Sequence, residues 1–398
     1  MMYYGASGAI INSQISDNTA GDRGGALHCQ SVPGDSRNPE GSPVSLQIVE
    51  STVVGNNANL GGGVYLDDAS PAMSGVTFSY NVAESSGGAV RAIRGATPFL
   101  EFCTFDHNQA NLGGGLALKD ATGGTFRACD FSYNRAWSQG GAVHIGEDAR
   151  PIFEDTRVRN NESDHRGGGV YCDGGSAPDF RDCSFENNQA TNDGGAAYST
   201  GGSAPSFIRS VLSENSAEKY DGGGIFVQGP PFRGGGWPTL TNCILSNNYA
   251  QGNGGAVECY NAGQISMKHC TVSQNSAGSD GGAVAAYDRA SVIIDQSILW
   301  TNSPQEIHGA GVKVSYSDVE GGYEGTGNIS AAPKFSSYRG SAGSFDYVLR
   351  AGSPCIDSAH GEEDAIDWAS VSARYGAANS SAPDMGAYGG SENAGWLE

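Results

Sequence analysis

Arg91, Lys119 and His144 follow one another at intervals near 27 residues, with Tyr65 and Asp67 one interval before them and Tyr171 and Asp173 one interval after. Side chains spaced like this can meet only if the chain returns to the same place once per interval. Brought together, they have a chemical use. β-Elimination from a polyuronate needs a cation to neutralise the carboxylate, a base near the C5 proton and an acid at the leaving oxygen. Arg91 can neutralise, Lys119 or His144 can be the base, and Tyr171 the acid. Tyr65, Asp67, Asp173, Tyr198 and Phe226 are the candidate ligand-binding residues, since aromatic faces stack on sugar rings. The plain alternative is a solvated β-sheet face that carries a few aromatics.

A second set lies just before Gly-Gly pairs on four successive repeats: Asp193, Asp221, Asn253 and Asp280. Carboxylates stacked about 5 Å apart repel by roughly 1 kcal/mol per pair. A Ca²⁺ ion held by Asp193, Asp221 and Asp280 would relieve the repulsion, since oxygen ligands on turns suit it. Hydrated surface carboxylates are the alternative, and no Ca²⁺-binding nonapeptide repeat is present. The Gly-rich strings lack GxxxxGK[ST] and recur too often to be one phosphate loop. No HExxH or HxxxH spacing marks a zinc site.

What brings the chain back is a repeat. A Gly-Gly pair followed by a small residue and an aliphatic begins at Gly24, Gly61, Gly87, Gly113, Gly140, Gly167, Gly194, Gly222, Gly254 and Gly281, with a degenerate copy at His308–Val312. A second motif keeps the same beat: an apolar residue, two variable positions, then Asn, as in Phe78…Asn81, Phe105…Asn108 and Phe131…Asn134. Ile15…Asn18 and Val54…Asn57 extend it upstream. Asn in register tolerates left-handed turns, and its amides can hydrogen-bond from one repeat to the next.

Counted from the first Gly, position +3 is aliphatic, +5 is apolar or Cys in most repeats, and +4 is polar or aromatic in most. Period 2 places +3 and +5 inside a strand and +4 outside. A unit of about 27 residues that returns to its start stacks strand on strand about 4.8 Å apart. The expected fold is all-β: a right-handed parallel β-helix of about eleven coils over 1–312, with terminal coils and a C-terminal cap over 313–398. Cys103, Cys129, Cys183, Cys243 and Cys270 share one position with Ser13, Thr52, Thr156, Ser210 and Ser297, and Cys29, Cys172 and Cys259 fall at +5. These eight are expected as free, buried thiols.

Composition agrees. Of the 398 residues 61 are Gly, only 16% are charged, and no Gly-X-Y triplet runs through the chain. The net charge of −21, with 22 Lys and Arg scattered, argues against nucleic acid as a partner. No run of 18 apolar residues spans a membrane. No leader with a basic start and apolar middle opens the chain, which is expected to be a fragment of a longer exported protein. Two coils carry extra residues, 31–45 and 229–237, both after the same strand and roughly 34 Å apart along the axis. They could wall a binding face or be tolerated loops.

The GGA[VIL] and FxxN motifs together resemble the repeats of polymorphic outer-membrane proteins and the wider class of bacterial secreted β-helix proteins. The tail, Tyr316–Gly322, Gly327–Ile329, Ser353–Asp357 and Pro383–Tyr388, is similar to the closing segment common in that class. The resemblance implies export to the cell surface or the medium. Its functions include adhesins, surface structures and polysaccharide lyases, and no catalytic signature carries over residue by residue. The leading expectation is an extracellular adhesin, glycan-binding or structural passenger, with a polysaccharide or cell-surface glycan as partner. The alternatives are a lyase on an acidic glycan and a self-stacking filament subunit.

Overall fold

Each Gly-Gly pair folds the backbone where no side chain fits. The first Gly has a left-handed φ, +60 to +71° across the ten pairs, and a Cβ there would fall 2.1–2.7 Å from the carbonyl oxygen of residue +3. The second Gly abuts the neighbouring coil: a Cβ on Gly88 would lie 2.1 Å from the oxygen of Gly114. Only Gly permits this approach of backbone to backbone.

The computed structural model describes residues 2–4, 7–32, 44–229, 237–336, 347–356, 358–360 and 384–388. Four strands make a coil. In a central one, Leu116–Leu118 follows the Gly pair, Thr125–Arg127 and Asp130–Ser132 return, and Arg135–Gln139 leads to the next pair. The like strands of successive coils pair parallel, giving a Gly-pair sheet and a second and a third sheet of twelve strands each, and a fourth sheet of nine. No α-helix occurs among the described residues. Twelve strands rather than eleven result because Met2–Tyr4 pairs with Leu27–Gln30 ahead of the first Gly pair.

The bore holds columns of like residues. Phe78, Phe105 and Phe131 stack with ring centroids 4.9 and 4.3 Å apart, and Phe126, Phe153, Phe180 and Phe207 at 4.8 to 5.0 Å. The Asn ladder runs from Asn18 to Asn302. In each rung the backbone N–H and the side-chain amide both donate to the next Asn Oδ1, as from Asn81 to Asn108 at 3.0 Å each, while Asn81 Nδ2 also donates to the Val53 carbonyl at 2.8 Å. The last rung, Asn302, donates to the Glu306 carboxyl.

In one coil the sequence assignment is displaced by one residue. Val53, not Val54, turns inward, so Asn56 and Ser51 occupy the ladders in place of Asn57 and Thr52. All nine cysteines are free and buried. Cys355 lies outside the ladders, with its Sγ 3.1 Å from Asp318 Oδ2.

The tail does more than close the last coil. Val312–Ser315 and Asp318–Val319 still add strands to the second and third sheets. The chain then runs back along the outer face of the third sheet, where Phe335, Tyr347, Leu349, Cys355, Met385 and Tyr388 cover Val211, Ile244 and Ile298. Gly386 N–H donates to the Gln296 carbonyl at 2.9 Å, and the Asn242 amide to the Ala387 carbonyl at 2.9 Å. The two long insertions lie largely outside the described residues, which stop at 32 and 229 and resume at 44 and 237.

Two outcomes test this construction. Asn134→Ala should destabilise the protein by about 2–4 kcal/mol, because it orphans the buried Asn108 N–H and the Phe105 carbonyl; the exposed pair member Asn187→Gly, which keeps the left-handed corner, should shift the melting temperature little. Titration with a thiol reagent should find no rapidly reactive thiol in the native protein and nine after unfolding.

Candidate functional site

The +4 residues lie on the outer face of the Gly-pair sheet, as the alternation requires, yet most are sealed from solvent. Tyr65, His144, Tyr198 and Glu258 are each 1% exposed. The cause is the Gly bend. It carries position −1, the end of the preceding strand, over the +4 column. Arg166 lies over the Tyr198 ring, 5.2 Å from its centroid, and Arg23 over Tyr65 at 5.1 Å. Stacking seals the rest: His144, Tyr171, Tyr198 and Phe226 follow one another at 5.4, 5.1 and 5.0 Å. The +4 rings therefore meet each other, and little face is left for a sugar.

The three candidate cations take separate partners. Arg91, half-buried, bonds Ser86 Oγ at position −1 of its own coil, and burial lowers its pKa. Lys119 Nζ lies 3.3 Å from Glu147 Oε1. His144 Nε2 is 3.7 Å from Asp173 Oδ2, and its buried Nδ1 has no hydrogen-bond partner. Burial, with Asp173 adding, pushes the Tyr171 hydroxyl up to about 12. Asp67 is fully buried and pairs with Arg94.

The aspartates before the Gly pairs have found protein donors. Asp193 accepts from Arg166 Nε at 3.2 Å, Asp221 from the Asn253 backbone and amide at 2.7 and 3.1 Å, and Asp280 from Tyr287 and Gln305 at 2.9 and 3.0 Å. Among the described residues no group of three or more side chains is gathered as a metal would need. These hydrogen bonds offset part of the repulsion, though burial first, and the Asp221 charge after it, still raise the pKa of the Asp193 carboxyl.

Beside Asp193 and Asp221 stands Glu258, at +4, to which sequence reasoning assigns no role. Its Oε2 is buried without a partner. Burial first, then the charges of Asp221 and Asp193, push its carboxyl up to about 9. The unfolded chain releases this proton near its ordinary value of 4.5, and the folded chain holds it until about 9. Between these values the folded state binds more protons, so stability falls as pH rises. Glu258→Gln should therefore raise the melting temperature at pH 8, leave it nearly unchanged at pH 4, and flatten the decline between; equal shifts at both pH values would contradict the assignment.

Solvent-exposed aromatics stand elsewhere, at the corner between the third and fourth sheets. Tyr80 and Tyr133 are 57% and 51% exposed. With His107 between them they form a stack, at 4.9 and 5.1 Å. Their signal in the sequence is the residue just before the ladder Asn, a position that must take left-handed φ. Phe102 occupies the equivalent position at the corner before the third sheet, 63% exposed.

Residues 62–230 match the family described as right handed beta helix region, and residues 242–260 match the Chlamydia polymorphic membrane protein repeat. The protein is a right-handed β-helix repeat protein whose repeats resemble those of polymorphic membrane proteins. No curated protein matches the chain. Among solved structures, one titled crystal structure of pectate lyase Pel9A is similar at 13% identity with a TM-score of 0.44, covering 94% of this chain and 85% of that one. No helix among the described residues is long and apolar enough to cross a membrane.

Proposed function

We propose that this chain is the rigid passenger of a cell-surface or secreted protein and that it binds a polysaccharide or cell-surface glycan without cleaving it. One observation carries the reading. The column that would have to do chemistry is packed under its own flanks, whereas aromatic rings at the coil corners are held out in solvent. Strained backbone that carries exposed apolar surface points to binding. Repeats like those of polymorphic membrane proteins support the surface location, and the net charge of −21 suits a solvated exported chain.

Affinity electrophoresis of the folded protein through gels cast with soluble polysaccharides tests this. Retardation by at least one polymer is the expected result, and unaltered mobility across a broad panel would remove the glycan-binding reading. The lyase alternative is checked on pectate, alginate and chondroitin sulfate, with Ca²⁺ and with chelator, by the ultraviolet absorbance of the unsaturated product. A flat trace is expected; a signal lost in Lys119→Ala or His144→Ala would establish the enzyme instead. Self-stacking, the third reading, would use the first coil, where Ile10, Ile15, Ala26 and Leu27 line a cavity of about 600 Å³.

A further inference from the structure

The corner that precedes each ladder Asn is left-handed in every coil from Asp17 to Thr301. Short polar residues and Gly suit that conformation; bulky aromatic ones do not. Asn160, Asn187 and Asn247 follow this rule, and Gly55 follows it most simply. Glu214, Gln274 and Thr301 hold the corner elsewhere, but only Tyr80 and Tyr133, at φ of 55 and 54°, set bulky aromatic rings there, with His107 between them. Their rings are not covered by the core, so packing does not explain them. Strain held at exposed, aligned side chains is a mark of a binding site.

The geometry around Tyr80 is specific. One face of its ring stacks on His107, which Asp106 Oδ2 holds at 2.8 Å through Nδ1. The other face looks toward the coil in which Gly55 holds the same corner, with no side chain. The three atoms nearest to where a Gly55 Cβ would lie all belong to Asp17 of the coil beyond, the closest being its Oδ1 at 2.6 Å. Above the Tyr80 ring the Gly55 corner thus carries no side chain, and the Asp17 carboxylate overhangs it, its Oδ1 reaching into the place a Cβ would take. Beside it the third sheet presents Thr77, Ser79 and Thr104, all partly exposed. In later coils the same outer face is apolar and the tail covers it; here it is polar and open.

An aromatic floor and a hydrogen-bond acceptor above it match the two sides of a sugar, an apolar C–H face and a rim of hydroxyl donors. We propose that Tyr80, Gly55 and Asp17 form a subsite for one pyranose ring of a neutral polysaccharide, the ring lying on the exposed Tyr80 face outside the side-chain-free Gly55 corner and a hydroxyl donating to Asp17. The Asp17 carboxylate and the net charge of −21 select against an acidic sugar. This inference rests on the glycan-binding reading above and gives it a location and a ligand class.

The test uses variants that the fold already accepts. Asn stands at the same corner in other coils, so Gly55→Asn and Tyr80→Asn should both fold, the first by pushing aside the Asp17 carboxylate, whose Oδ1 would lie 2.6 Å from the new Cβ. The first fills the Gly55 corner and the second removes the aromatic floor. In affinity electrophoresis with β-glucan, mannan, xylan and galactan, each should weaken binding about tenfold or more, while Tyr80→Phe should stay within about threefold of wild type. Trp137→Ala, at a separate exposed aromatic on the fourth sheet, should bind as wild type. Unchanged binding by both Asn variants would overturn this subsite and leave glycan binding to be placed elsewhere. Binding by the wild type only to acidic polysaccharides would overturn the ligand class. Failure of the wild type to bind any polymer, neutral or acidic, would remove both this subsite and the broader reading.

Discussion

Among the described residues of the coils, each strand residue has its counterpart in the next coil, one strand spacing away along the axis. That single constraint sets what the positions can hold. Where the counterparts are amides, each rung gives two hydrogen bonds to the next and the column can be buried. Where they are phenyl rings, they stack near 5 Å. Where they are Gly, backbones touch. A chain that repeats its inward residues therefore gains the same contact many times, and a chain that varied them would leave buried amides unpaired. Ion pairs obey the rule too: Arg159 meets Asp130, and Arg209 meets Asp182, each from an adjoining coil.

The outer surface follows from the same spacing together with the bend at the Gly pair. Because the bend brings position −1 alongside +4, the most aromatic column of the Gly-pair sheet becomes an interior of its own, apart from the main core. The corners before the ladder Asn have no such flank. Side chains there stack on one another and stay wet. The tail then takes the apolar part of the third sheet and leaves the polar part free. The division of the surface into sealed, covered and open strips is thus a product of backbone geometry.

Much of this is legible in the sequence, and the exceptions have physical causes. The period, the inward +3 and +5 residues, the free thiols and the Asn ladder are readable because each is imposed by a local rule repeated many times. The ladder differs from the sequence pattern by one residue only at Val53–Val54, where two adjacent β-branched residues fit either face equally. The burial of His144, Tyr171 and Glu258 is not readable from alternation. Period 2 separates the two faces of a strand but says nothing about what folds over the outer one. The corner aromatics are not legible because the residue before the ladder Asn varies from coil to coil and carries no periodic signal. The lateral path of the tail depends on long-range contacts, such as that between Asn242 and Ala387, which no local pattern encodes.

The central claim is that aromatics of similar type are divided into a sealed column and an exposed corner. Hydroxyl-radical footprinting of the folded protein, read residue by residue by mass spectrometry, tests it directly. The account predicts fast labelling at Tyr80 and Tyr133 and strong protection at Tyr171, Tyr198 and Phe226. Comparable labelling of the two sets, or protection at the corner with reaction in the column, would contradict it.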